Sequence, residues 1–153
     1  MNQEVGAIMN YCYKRFPVKV YEKKIPEQFQ VPSMYFPATW VNTRNDTVST
    51  FLKTYTLHIK VFHKDSGQAN DAAETIVDAL SADRNIIQMV SEEGELLDQY
   101  VRIKRAETRI ADQGVATIVL TWDSAYWYNR DAKPSLDDIN FSDGVIKREQ
   151  DEK

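Results

Sequence analysis

Few side chains in this sequence stand at spacings that support chemistry. His58 and His63 are five positions apart in a segment that alternates apolar and polar residues. With a strand period of two they point to opposite faces and cannot hold one metal ion together. Cys12 is the single cysteine, so neither an intramolecular disulfide nor a multi-cysteine zinc site is available, and a reducing compartment fits. It lies on an apolar helical stripe between Tyr11 and Tyr13, with Lys14 and Arg15 at the far end of the helix, the setting of a buried, inert thiol.

Carboxylates gather at Glu92-Glu93-Glu95 and at Asp137-Asp138, both in polar turn or tail sequence where nothing desolvates them for acid/base work. Asp138, Asn140, Ser142 and Glu149 match positions 1, 3, 5 and 12 of a calcium loop, yet position 6 is Asp143 and the glycine comes one place late, at Gly144. No phosphate-cradling glycine loop, nucleophile elbow or His-Glu-x-x-His pattern occurs. The residues nominate no catalytic group, no cofactor site and no metal ligand.

Two features speak of surfaces instead. Trp122, Tyr126, Trp127 and Tyr128, with Arg130 behind them, suit a strand end packed over a core edge, a protein contact surface or a base-stacking platform. Along the strand Tyr100 to Ile110, strict alternation places Arg102 and Lys104 on one face and Arg105 and Arg109 on the other. That reads as dispersed charge protecting an edge or making a polar subunit contact.

The elements that position these residues follow from periodicity. The chain has 153 residues, 42% of the hydrophobic set, 19 basic and 23 acidic residues and a formal charge of -4, which indicates one globular domain with a packed core. Its acidic balance gives no field toward a phosphate backbone, so sequence-specific nucleic-acid binding is not expected. The first residues carry no basic and apolar leader and no apolar run is long enough to span a bilayer, so a soluble, unexported chain without a membrane partner is expected. Residues 131–153 hold seven acids and four bases, an acidic C-terminal tail, partly disordered or interface-forming, after a single domain over residues 1–130.

Val5, Ile8, Met9, Cys12 and Phe16 predict a helix over 3–15, ended by Pro17. A short strand follows at 18–21, then an extended connector with two prolines over 25–32. Met34 to Thr43 reads as one strand, Asn42 to Asp46 as a turn, and Thr50 to His63 as the second strand of a hairpin with one apolar face. Ala69, Ala72, Ala73, Ile76, Val77 and Leu80 predict a second helix over 68–82, capped from Asp65-Ser66-Gly67. Strands at 86–90, 98–110 and 114–128 complete the order α, β, β, β, α, β, β, β, the last two joined by Asp112-Gln113-Gly114. The fold class is α+β, a mostly antiparallel curved sheet with two helices packed on one face. The long strands must bend, break or project, and Val115 to Trp122 is apolar on both faces, so the sheet curls or a partner covers it.

The run Phe16-Pro17-Val18-Lys19-Val20-Tyr21-Glu22, continuing through Ile25-Pro26, Phe29, Pro32 and Tyr35-Phe36, resembles the start of phage tail terminator proteins. The likeness extends over the element order of residues 1–128 and departs at Gln28, where the family carries a glycine. It implies a virion protein made in the bacterial host cytoplasm and sited at the head–tail junction. It also implies a hexameric ring of itself on the last layer of the tail tube protein, stopping tube growth and presenting a docking surface for a head-completion or connector protein. The resemblance carries no catalytic residue and no cofactor. The contact residues expected for subunit or tube are Arg44, Asn45, Asp46, Arg102, Arg109, Trp127 and Tyr128. The alternatives are another head–tail connector or neck component and, from a different class, a small ligand-binding domain or enzyme with the aromatic cluster as its pocket.

Overall fold

Helix α1, Gln3–Arg15, forms where the apolar stripe predicts it, with Val5, Ala7, Ile8, Tyr11 and Cys12 turned into the core. The last helical bond, Phe16 N to Cys12 O at 2.9 Å, precedes Pro17, whose ring disfavours helical dihedrals at Phe16. This is a computed structural model, and it describes residues 3–128. Arg130, the acidic segment 131–153, its Asp137-Asp138 pair and the calcium-loop spacing lie outside the described residues.

Strands β1, Lys19–Glu22, and β2, Ser33–Phe36, pair in parallel because the proline-bearing connector between them carries the chain back to its starting end. The predicted single strand Met34 to Thr43 is two strands. Pro37 supplies no N–H to a ladder, and after a break at 37–39 the chain resumes as β3, Trp40–Asn45. Arg44 and Asn45 therefore belong to a strand rather than to the predicted 42–46 loop, and only Asp46 lies in the turn.

Strand β4, Thr50–Phe62, is the spine of the sheet. One edge pairs first with β3, Trp40 opposite Thr56, and then with β2, Ser33 opposite Phe62, while its other edge pairs along its whole length with β7, Val115–Trp127. Helix α2, Ser66–Ala82, starts where Asp65 Oδ1 accepts from Gln68 N at 2.8 Å and buries Ala69, Ala73, Ile76 and Leu80. Strand β6, Leu96–Asp112, changes neighbour as β4 does. Residues 96–102 pair with β5, Ile86–Val90, and residues 103–112 with β7. The order is β1-β2-β4-β7-β6-β5, with β3 beside β4, antiparallel except for β1 and β2.

Both helices lie on one face and close a single core with the inward residues of the sheet, among them Leu57, Ile59, Val61, Ile103, Ile118 and Leu120. Full burial of such a side chain stabilises by roughly 1.5–3 kcal/mol. The core ends at Tyr55 and Trp122, stacked with centroids 5.5 Å apart. The long strands thus do what their length demands. They exchange partners halfway, bulge twice where β6 pairs with β7, and run past the core into a tip formed by β3, β4 and β7.

The tight turn between β6 and β7 is locked into the body. Gly114 has φ +77, its N–H donates to Ser66 Oγ at 3.0 Å and its carbonyl accepts from His63 N at 2.9 Å. A Cβ at Gly114 would lie 2.9 Å from the His63 carbonyl oxygen, so conformation and space both require glycine.

Candidate assembly surfaces

The tip gathers five of the seven expected contact residues. Tyr128 Oη donates to Asn45 Oδ1 at 2.8 Å, Tyr128 N donates to Ser49 O at 2.9 Å, and the ring lies 5.5 Å from Phe51, which stacks on Tyr126. Tyr126 and Tyr55 share a hydroxyl–hydroxyl bond of 2.8 Å. Asp46 Oδ2 accepts from Thr50 Oγ1 at 3.1 Å and holds the turn that joins β3 to β4. Alternation places Arg44 and Trp127 on the face away from the helices, and Asn45, Tyr126 and Tyr128 on the helix-side face. Trp127 is 71% exposed.

The aromatic cluster therefore divides. Trp122 is core, Tyr126 and Tyr128 clamp the tip, and Trp127 is surface.

Arg102 and Arg109 stand apart from the tip, on the outer face of β6. Strict alternation had assigned Arg105 and Arg109 to the face opposite Arg102 and Lys104. A bulge between Ile103 and Arg105 corrects this. Ile103 pairs with Trp122 and Ala106 with Leu120, both on the core side, so Lys104 and Arg105 sit side by side on the outer face. Arg102, Lys104, Arg105, Glu107 and Arg109 consequently share one face of the strand.

Among the described residues this outer face carries no helix. Glu107 bridges Arg105 at 3.2 Å and Arg109 at 3.3 Å, and Asp123 accepts from Lys104 at 3.1 Å and from Thr54 at 2.6 Å. Burial alone would raise the Asp123 pKa, but the hydrogen bonds from Thr54 and Lys104 and the charges of Lys104 and Arg44 hold it below the usual range. Lys60 Nζ donates to Thr117 Oγ1 at 3.1 Å, and Trp40, 69% exposed, tilts against His58 with centroids 4.6 Å apart. Partial burial, then the charges of Lys60 and Arg109, lower the His58 pKa. Beneath these long side chains Val119 is 7% and Thr117 5% exposed, so the apolar outer side of β7 is covered by the chain's own polar residues.

His58 meets Trp40, and His63, just past β4, stacks on Phe16 at 6.1 Å. Cys12 is fully buried, which pushes its thiol up to about 12. Where β6 leaves β7 for β5, an open cleft of about 680 Å³ lies between Glu4, Asp98, Arg102, Asp123 and Ser124.

A family model described as phage tail terminator protein matches residues 5–134. The chain belongs to that family. It is 49% identical over 145 residues to the uncharacterized protein YqbJ of Bacillus subtilis (strain 168), and 47% identical over 145 residues to the phage-like element PBSX protein XkdJ of the same organism. Each comparison covers 95% of this chain and 99% of the relative. A chain of the virion of a native gene transfer agent particle is similar at a TM-score of 0.44 and 15% identity, over 84% of this chain and 100% of that chain.

This member of the tail terminator family is thus a phage structural protein, α+β as expected, and the family match runs past Arg130 into the segment that the sequence resemblance left out. Lys60 and the Trp40–His58 pair are outer-face residues that sequence reasoning did not assign to a surface site, and Arg105 is one that it placed on the wrong face. The signal for Trp40 was available, since it alternates with Val41 on the strand that pairs with β4. No residue type announces the bulge that turns Arg105 outward.

Proposed function

We propose that this tail terminator family member closes as a ring, hexameric as the resemblance implies, on the last layer of the tail tube. There it ends tube growth and offers a surface to the head-completion or connector protein. The observation that carries the reading is a domain whose sheet, among the described residues, is covered by helices on one face only and whose β3–β4–β7 tip extends beyond the core, with Arg44, Asn45, Asp46, Trp127 and Tyr128 drawn together there. A subunit that must touch neighbouring copies and the tube needs such surfaces on more than one side. The tip is the tube-side contact in this reading, and the outer sheet face serves the ring.

The test is electron microscopy of particles released from a prophage that encodes the protein. With Arg44→Ala/Trp127→Ala, tubes are expected to overrun their normal length and to lack heads. Particles of normal length that carry heads would overturn the assignment of the tip.

A further inference from the structure

We propose that the basic outer face of the sheet seats the acidic flank of α2 from a second copy, so that neighbours in the ring meet face to flank. The inference rests on the ring reading and names the interface that builds it.

Across β3, β4, β7 and residues 103–110 of β6, the outer face presents Arg44, Lys60, Lys104, Arg105 and Arg109 against only Glu107 and Asp123. Both acids are already engaged, Glu107 by Arg105 and Arg109, and Asp123 by Lys104 and Thr54. A net positive face thus stands on a chain whose formal charge is -4. Trp40 projects from the same face and is 69% exposed, an aromatic of the kind enriched at protein contacts.

The complementary surface is on the same domain. Helix α2 has 17 residues, three of them acidic, Asp71, Glu74 and Asp78, and no lysine or arginine. At about 100° per residue these three form one stripe, on the side of the helix opposite Ala69, Ala73, Ile76 and Leu80. All three are exposed, and among the described residues none is ion-paired. Because α2 lies on the inner face of the sheet, its acidic stripe points away from the basic face. A two-fold contact through either patch alone would oppose like charges. A head-to-tail contact pairs each basic face with the next acidic flank, and repeated rotation of that contact closes a ring.

Native mass spectrometry over a concentration series tests this on the full chain. Arg105→Glu/Arg109→Glu and, separately, Asp71→Lys/Asp78→Lys are expected to weaken association by at least about tenfold, and the fourfold combination to restore it. Lys60→Glu, which stands clear of the tip and leaves Glu107 without a new like-charged neighbour, serves where the first pair fails to fold. Carbodiimide coupling of the wild type should join Lys60 or Lys104 of one copy to an α2 carboxylate of another. A ring that survives reversal of either patch overturns the interface and leaves the ring reading standing. A wild type that stays monomeric at every concentration overturns both. Coupling of those lysines to carboxylates of residues 131–153 in the same chain would place the acidic segment on the face, and reversals that abolish tube binding while sparing the ring would place the tube there; either result overturns the proposal.

Discussion

Tyr128 Oη donates to Asn45 Oδ1 at 2.8 Å, a contact that spans 83 positions and ties the last described residue to the end of β3. Together with the Tyr128 N to Ser49 O bond it closes the tip around Phe51 and makes three strands one unit beyond the core.

A double-mutant cycle measures that clasp. Tyr128→Phe and Asn45→Ala should each destabilise the monomer by about 0.5–1.5 kcal/mol in urea unfolding, and the double variant should cost less than their sum. Strict additivity would mean that the contact contributes nothing to the fold.

Gly114→Ala meets two obstacles, the positive φ and the His63 carbonyl at 2.9 Å. A loss of about 1–2 kcal/mol from the conformation alone, and more from the close approach, is expected. Gly94→Ala shares the positive φ but meets nothing within 4 Å, so it should cost less in the same thermal melts.

The three tryptophans report on separate regions. Trp122 is buried, whereas Trp40 and Trp127 are 69% and 71% exposed. Acrylamide should quench the emission of the monomer mainly through Trp40 and Trp127. On assembly the Trp40 signal should become protected, read in a Trp127→Phe variant, while Trp122 is unchanged. Trp122→Ala, by contrast, should cost about 3–5 kcal/mol.

His58 titrates below the ordinary value of 6.5 because of burial, then Lys60 and Arg109. The folded chain binds this proton less tightly than the unfolded chain, so the associated stability is fully present above the unfolded value and is lost as pH falls through the folded one. Melting temperature should therefore drop from about pH 7 to about pH 5 more steeply in the wild type than in His58→Gln. Arg109→Ala should move the imidazole midpoint, followed by NMR, upward.

Much of this architecture was legible in the residues. The apolar stripes of α1 and α2 place both helices within two residues of their ends, and Asp112-Gln113-Gly114 marks the last hairpin. The failures are those of local reading. Pro37 was a visible strand breaker inside an otherwise strand-like run, and the parallel pairing of β1 with β2 depends on where a connector travels, which periodicity does not encode. At the tip, the chemistry of Asn42 to Asp46 suggested a turn, but pairing with Phe51 to Thr54 overrides that preference up to Asn45. Arg105 was misplaced for a different reason: side chains alternate only while the ladder is regular, and the bulge at Lys104 breaks the count without any change in composition.

That extra residue has a consequence for comparing homologues. Removing Lys104 would leave Ile103 inward, Arg105 outward and Ala106 inward, the parity of an uninterrupted strand. A single-residue gap at this point in a relative is therefore neutral for which residues meet water. The same gap at Glu107 would transpose Thr108 and Arg109 across the sheet. Deletion of Lys104 should yield a folded protein and deletion of Glu107 should not, so gap placement in an alignment of this family can be judged by strand parity instead of by residue similarity.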